Sequence, residues 1–248
     1  MDLTRTIFLL LGSLILAVTV ALYGGPWVSS IEVLEPNDVQ MLLIVDLVKI
    51  YAGFTAYCIV AGELTNNVSQ VDRLWSIIPA MYACYAAWYT DFDHPRVCLM
   101  AQCVCVWAMR LTYNFSRRGG YSSWLPWRGD EDYRWEVLRG QAPFKGSPIA
   151  WSLFNVFFIC IYQMGLVLMQ TLPICFAWTQ GDGGVLTRSD YIMAGIFLSL
   201  VIYEGIADNQ QFIFQTEKYR LRNNKLPMDA YYSAGFITTG LWALSRHP

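Results

Sequence analysis

The chain has 248 residues, of which 55% are hydrophobic and only 15% are charged, and its formal net charge at pH 7 is −2. A soluble protein of this length would carry about a quarter charged residues, so composition excludes the soluble globular class. The sequence has no basic tail, and we expect no nucleic-acid partner. The apolar residues form blocks of membrane-spanning length, which predicts an all-α fold: one multi-pass transmembrane helical bundle over residues 1–248.

Six apolar segments follow one another along the chain, and each is predicted to form a membrane helix. A helix rises about 1.5 Å per residue, so each segment can reach across a hydrocarbon core of about 30 Å, although the third and fourth are short. A short helical segment is expected after the sixth. We divide the chain into N-terminal helices (1–65) and a second region (66–248). The segments are 6–23, 41–62, 74–89, 97–113, 149–172 and 191–214.

The basic residues predict the orientation, because cytoplasmic loops carry an excess of Lys and Arg. With the N-terminus in the cytoplasm, that side holds Arg5, Arg73, six basic residues of loop 115–148 and five after residue 214, whereas only Arg96 and Arg188 fall outside. Segment 6–23 is interpreted as a retained helix, since no small-x-small signal-peptidase site follows it. We expect an integral membrane protein of the endoplasmic reticulum.

Charged and amide residues inside the apolar segments indicate function, because a central charge costs about 2.5–3.5 kcal/mol on insertion scales. Asp46 and Lys49 are three residues apart, which predicts an ion pair within one helix. Glu204, Asp208 and Gln211 follow at i, i+4 and i+7 and form one polar stripe. Two carboxylates stacked in this way repel each other, so either one is protonated or both face hydrogen-bond donors.

The fifth segment carries a second stripe, which α-helical spacing places on one face. Interhelical hydrogen bonds and ligand binding explain such residues equally well, so both interpretations stay open. The stripe consists of Asn155, Tyr162, Gln163 and Gln170.

Arginines alternate with Tyr and Trp between the fourth and fifth segments. Guanidinium groups bind phosphate and stack on flat rings, which suits a dinucleotide, but anionic lipid head groups would attract the same loop. The chain has no Rossmann or P-loop motif, so a membrane-domain pocket must hold any nucleotide. The pair Cys103 and Cys105 points to different helix faces, so we expect no metal site. The arginines are Arg110, Arg117, Arg118, Arg128, Arg134 and Arg139.

Five blocks in the same order resemble the uncharacterised, DUF1295-type branch of the steroid 5-alpha-reductase family. They are S-Q-V-D-R-L-W-S at 69–76, R-L-T-Y-N-F-S-R-R-G-G-Y at 110–121, E-D-Y-R-W at 131–135, A-D-N-Q-Q-F at 207–212 and G-L-W-A-L-S-R-H-P at 240–248. The resemblance implies an all-helical membrane reductase that takes NADPH beside a lipid or steroid-like enone. In the family the last block continues as Asn-Tyr-x-Gly-Glu, so the chain is interpreted as truncated at Pro248.

The resemblance also implies residue roles. The expected acid is Asp72, which burial keeps protonated. In the family a tyrosine also polarises the substrate ketone, but the position three residues before Arg110 is Trp107 here. Tyr113 and Tyr82 are the candidates to replace that tyrosine. Arg134, Asn155 and Gln163 join the expected NADPH pocket from the loop and the fifth segment. The cofactor residues implied by the blocks are Arg110, Asn114, Arg117, Arg118, Glu204, Asp208, Gln211, Arg246 and His247.

Two other functions remain open at the level of sequence. Membrane methyltransferases that use S-adenosylmethionine share the Arg-His-Pro signature, although the Arg-aromatic loop and the V-D-R-L-W block argue against them. A transporter or a non-catalytic scaffold would use the polar stripes to line a path or to join helices. Neither inverted repeats nor matched Gly or Pro breaks are found, which disfavours the transporter.

Overall fold

The computed structural model describes residues 38–121, 131–178 and 184–245, and all regular secondary structure in these ranges is helical. The predicted all-α fold is therefore confirmed for the described residues, while segment 6–23 lies outside them. Residues Asn155–Tyr162 form a π-helix between α6 and α7, and Gly240–Ala243 forms a 3₁₀ turn. The helices are α1 (Asp38–Thr65), α2 (Gln70–Leu74), α3 (Ile77–Tyr89), α4 (Pro95–Arg117), α5 (Tyr133–Arg139), α6 (Pro148–Phe154), α7 (Gln163–Ala177), α8 (Arg188–Asn223) and α9 (Ala230–Ser233).

Three helices of the described ranges are long and apolar enough to cross a membrane. They are Met41–Thr65, Pro148–Ala177 and Arg188–Asn223, with 25, 30 and 36 residues. The predicted third segment is instead broken at Trp75 and Ser76, and α3 has only 13 residues. At about 1.5 Å per residue, α3 is too short for a core of about 30 Å. These helices identify a membrane protein, whereas six spans and the orientation stay predictions.

Helix α4 runs parallel to α8, and local sequence sets where both begin. His94 accepts a hydrogen bond from the Val97 amide at the start of α4, and Thr187 forms a capping box with Asp190 at the start of α8. Such caps satisfy amides that have no partner within the helix. The guanidinium of Arg96 donates from Nε to Asp190 Oδ1 at 3.0 Å. This ion pair therefore joins the first turns of the two helices.

The apolar core lies among α1, α3 and the long helix 148–177. Its fully buried side chains include Leu47, Ile78 and Ile159. Helix α8 lies outside this core, because only 11% of its most apolar window is buried. Large apolar side chains such as Met193 and Leu200 are exposed on it. An exposed apolar surface of this kind suits contact with lipid.

The predicted ion pair in the second segment is confirmed. Lys49 Nζ lies 2.7 Å from Asp46 Oδ1, and the Tyr85 hydroxyl donates to Asp46 Oδ2 at 3.1 Å. The carboxylate therefore pairs within α1 and also joins α1 to α3.

The predicted stripe along the fifth segment does not lie on one face. Asn155 is fully buried, Tyr162 and Gln163 are half-buried, and Gln170 is exposed. These residues would share one face of an α-helix, but Asn155–Tyr162 is a π-helix, which hydrogen-bonds from i to i+5 and therefore rotates successive residues differently. Asn155 Nδ2 instead donates to Glu63 Oε1 of α1 at 2.8 Å.

Gly62 permits the close approach between α1 and the π-helix. A Cβ at Gly62 would lie 3.3 Å from Asn155 Nδ2, whereas a Cβ at Gly53 on the same helix would meet nothing within 4 Å. We expect Gly62→Val to lower the free energy of unfolding by about 1–3 kcal/mol, because overpacking forces the helices apart. Thermal unfolding in detergent measures this, with Gly53→Val as the matched control. Equal effects of the two substitutions would contradict the packing account.

Candidate functional site

Arg110 on α4 holds both carboxylates of the α8 stripe. Its Nη1 donates to Asp208 Oδ2 at 2.5 Å and its Nη2 donates to Glu204 Oε2 at 2.7 Å. The i, i+4 spacing puts the two acids one above the other, and one planar guanidinium can reach both. Of the two outcomes left open by the sequence, both carboxylates therefore face a donor. Gly205, between the acids, places its backbone against the Arg110 stem.

Arg117 lies one to two turns further along α4 and has neutral partners. Its Nε donates to Asn114 Oδ1 at 2.9 Å, and its Nη1 donates to Asn209 Oδ1 at 3.0 Å. The guanidinium also lies 4.3 Å from the centre of the Phe212 ring. Among the described residues no carboxylate forms an ion pair with Arg117, so its positive charge is available to a ligand.

Arg118 adds a third cation at this end of α4. Its Nη2 lies 3.9 Å from Asp208 Oδ1, and half of its side chain is exposed. At this distance and exposure the pairing is weak, because solvent screens the charges. The site therefore combines three guanidinium groups with two carboxylates, and the surplus charge is positive.

A cavity of about 290 Å³ opens between α4 and α8 beside these groups. This volume is near the lower end of the range for small-molecule sites, which is about 300–1,000 Å³. Its lining combines two guanidinium groups, two amides, one phenol ring and the Asp208 carboxylate, which is paired with Arg110, so the surplus positive charge suits an anionic ligand. The lining residues are Arg110, Tyr113, Asn114, Arg117, Gly205, Asp208 and Asn209.

Sequence reasoning missed Asn209, Gly205 and Phe212 in this site. Asn209 and Phe212 stand within the block A-D-N-Q-Q-F, but only the residues of the i, i+4, i+7 stripe were selected from it. Asn209 lines the cavity because Arg117 lies beside α8 and donates a hydrogen bond to its Oδ1. The step of four from Gly205 to Asn209 is the signal that could have found both, since it marks a second row on the same helix.

Gln211 and the C-terminal residues border the site. Gln211 is half-buried, and its Oε1 has no hydrogen-bond partner. Gln210 Oε1 accepts from the Leu241 amide, and Trp242 Nε1 donates to the Ala207 carbonyl, both at 3.0 Å. The segment around Leu241 therefore packs on α8 directly beside Asp208. The predicted cofactor residues Arg246 and His247 lie outside the described residues.

Asp72 lies in a different polar cluster from the cavity. Its Oδ2 accepts a hydrogen bond from Trp135 Nε1 at 2.8 Å. Ser76, one turn further on, bonds to Thr112 of α4 at 2.7 Å. Thr112 is two residues from Arg110, which corresponds to about 200° around the helix. Helix α4 therefore stands between the Asp72 cluster and the cavity, and of the two predicted catalytic residues only Tyr113 lines the cavity.

The remaining predicted cofactor residues also lie apart from the cavity lining. Arg134 on α5 donates from Nε to Asp132 Oδ1 at 2.8 Å, and Asp132 also accepts from the Arg134 amide as the helix cap. Burial acts to raise the pKa of Asp132, but these bonds and the Arg134 charge outweigh it, so the pKa lies below its ordinary value. Asn155 is bonded to Glu63, and Gln163 is half-buried on α7.

The cysteines form no cluster that could bind metal in the described part of the chain. Cys84 Sγ of α3 lies 3.4 Å from Cys105 Sγ of α4, and no group of three or more His, Cys, Asp or Glu side chains forms there. Cys58, Cys160 and Cys175 are buried. These thiols pack among apolar side chains, as small hydrophobic residues do.

Comparison with known proteins places the chain in a family. The model of the family described as "Protein of unknown function (DUF1295)" matches residues 58–248, and the chain belongs to this family. An uncharacterised protein of Schizosaccharomyces pombe is 33% identical over 193 residues, which are 74% of this chain and 54% of the relative. The chain thus spans about half the length of that relative. No solved structure matches it.

Proposed function

We propose that this protein is a membrane-embedded reductase that uses NADPH to reduce a carbon–carbon double bond of a lipid or steroid-like enone. The α4–α8 cavity is the observation that supports the proposal most. Its walls hold the arginine-bearing block 110–121 and the acidic block 207–212, which are two of the five blocks that resemble steroid 5-alpha-reductases. The family itself has no assigned function, so the activity rests on this resemblance together with the chemistry of the cavity.

Within the proposed site, Arg110 and Arg117 have different tasks. Arg110 is balanced by Glu204 and Asp208 and fixes the distance between the two helices. Arg117 has only amide acceptors and the rings of Phe212 and Tyr113 beside it, so it is the group that binds phosphate. Guanidinium forms bidentate, charge-assisted bonds with phosphate oxygens. The volume of about 290 Å³ suits one end of the dinucleotide, with the rest extending along the open side.

Bound NADPH would supply a hydride to the β-carbon of the enone. Negative charge then grows on the substrate carbonyl oxygen, and a nearby acid must donate a proton or a hydrogen bond to it. Asp72 cannot do so from the far side of α4, where its Oδ2 already accepts from Trp135. We therefore assign the acid to the Tyr113 phenol, which lines the cavity.

Arg117→Gln tests the phosphate contact. Loss of charge-assisted hydrogen bonds worth about 1.5–3 kcal/mol should weaken NADPH binding about 10-fold to 150-fold. Thermal-shift titration of the purified protein with NADPH measures it, since a ligand that binds only the folded state raises the unfolding temperature. Arg222→Gln, an exposed arginine near the end of α8, is the matched control and should bind NADPH normally.

S-adenosylmethionine is titrated in parallel with the same proteins. It carries a sulfonium cation, which a cavity with surplus positive charge disfavours, so we expect no shift from it. If S-adenosylmethionine raises the unfolding temperature and NADPH does not, the proposed function is wrong and a methyltransferase is favoured. If neither ligand raises it, the proposal that the cavity binds NADPH is wrong.

Gly205→Leu tests whether the cavity is the binding site. A side chain at Gly205 would stand against Arg110 and fill the lining, whereas Gly195 on the same helix has open space around it. We expect Gly205→Leu to reduce NADPH affinity at least tenfold, because it occupies the volume, while Gly195→Leu leaves affinity unchanged. Equal affinity in both variants would place the cofactor elsewhere.

Tyr113→Phe tests the assigned acid. A general acid contributes about 10²–10⁴ in rate, so turnover should fall by that factor while NADPH affinity is retained. The readout is NADPH oxidation with a lipid enone, followed in membranes. Asp72→Asn should lower turnover far less, because Asp72 is outside the cavity. The opposite ranking of the two variants would return the acid role to Asp72.

A further inference from the structure

The guanidinium of Arg73 is buried without a counter-charge. Arg73 lies on α2 and only 8% of it is exposed, while its neighbours Gln70 and Val71 are 2% and 0% exposed. Its Nη1 donates to Gln70 Oε1 at 3.5 Å, at the limit of a hydrogen bond, and its Nε and Nη2 have no partner. No carboxylate of the described ranges forms an ion pair with it. Both unpartnered nitrogens are buried, so bulk water does not supply the missing acceptors.

Such a group requires an acceptor. Arginine stays protonated in proteins, and a buried charge is stable only when it is paired and hydrogen-bonded. The two unpartnered nitrogens, Nε and Nη2, form one edge of the planar group. Three other arginines of this chain direct the same edge at a carboxylate: Arg96 at Asp190, Arg134 at Asp132 and Arg220 at Glu217.

Uncharged hydroxyl groups lie on the backbone side of Arg73. Tyr121 donates its hydroxyl to the Arg73 carbonyl oxygen at 2.7 Å, and Ser76 Oγ lies 2.7 Å from Thr112 Oγ1. Burial raises the pKa of Tyr121, while Ser76, Thr112 and the Arg73 charge act in the opposite direction. A buried guanidinium whose side-chain partner Gln70 is a neutral amide matches an oxyanion ligand.

We propose that Arg73 forms a second anion site, in which the Nε/Nη2 edge binds one carboxylate or phosphate group bidentately. The site lies on the face of α4 opposite Arg110, so it is distinct from the proposed NADPH cavity and does not depend on it. The bound group is either a free oxyanion or the head of an anionic lipid, since both present the same oxygens.

Thermal unfolding of the full chain in phosphatidylcholine nanodiscs tests the site with three probes. These are inorganic phosphate, oleate and phosphatidic acid, each compared with chloride at equal ionic strength. At least one probe should raise the unfolding temperature specifically. A response to inorganic phosphate identifies a free oxyanion, whereas a response to oleate or phosphatidic acid alone identifies a lipid head group. No response beyond that of chloride overturns the proposal.

Variants assign the response to Arg73. Arg73→Gln should weaken the response at least tenfold, and Arg73→Lys should weaken it less, because lysine keeps the charge but loses the planar fork. Because Arg117 is the proposed phosphate-binding group of the cavity, these variants are compared in an Arg117→Gln background, in which Arg222→Gln should leave the response unchanged. A response that is absent from this background, or that persists in it when Arg73→Gln is added, would assign the anion to another site and overturn the proposal.

Arg73→Met separates loss of the site from loss of the fold. It removes a buried charge that lacks a partner and keeps an apolar stem of similar length, so the ligand-free protein should unfold at a higher temperature than the unmodified protein. The same variant should not respond to any probe. A lower unfolding temperature would show that Arg73 is stabilised from within the protein and would overturn the proposal.

Discussion

One guanidinium group between two carboxylates joins α4 to α8 at the candidate site of this protein. Arg110 bonds Asp208 and Glu204 at once. The Asp208 side chain is 26% exposed and that of Glu204 is 47% exposed, so solvent screens the bond to Asp208 less than the bond to Glu204. With the pair Arg96–Asp190 at the opposite end, Arg110 holds α4 parallel to α8 over most of the length of α4. The cavity lies between these helices, so its shape depends on the ion pairs and not on apolar packing, most of which lies among α1, α3 and helix 148–177.

The charges of α4 and α8 also decide what the cavity can bind. Arg110 is neutralised by its acids, whereas Arg117 has the amides of Asn114 and Asn209 as acceptors and keeps its full charge. Both arginines lie on α4. The site is therefore held rigid at Arg110 by ion pairs, and it attracts anions at Arg117, whose charge is not balanced. Arg73, on the other side of α4, is likewise a cation without a carboxylate partner among the described residues, but it is more buried than Arg117.

The family has no assigned function, so the activity must be inferred from the side chains that line the cavity. The cavity joins the arginine-rich end of α4 to the acidic and amide residues of α8, as the resemblance to steroid 5-alpha-reductases implies for a cofactor pocket. Asp72 departs from the same expectation, because α2 directs it to Trp135 and α4 separates it from Tyr113. In the proposed reductase the acid therefore comes from α4 itself.

The sequence by itself determined the helical membrane class, the ion pair of Asp46 with Lys49 and the carboxylate stripe of α8, since composition and local spacing fix these features. It could not determine which donor meets the stripe, because Arg110 and Glu204 are 94 residues apart and only packing of α4 on α8 joins them. The predicted stripe on the fifth segment was wrong because Asn155–Tyr162 forms a π-helix, which changes the rotation per residue. Nothing in the spacing of these residues distinguishes a π-helix from an α-helix. Tertiary structure likewise decided that Ser76 meets Thr112, on the face of α4 opposite Arg110, and hence that Asp72 and Tyr113 do not share a site.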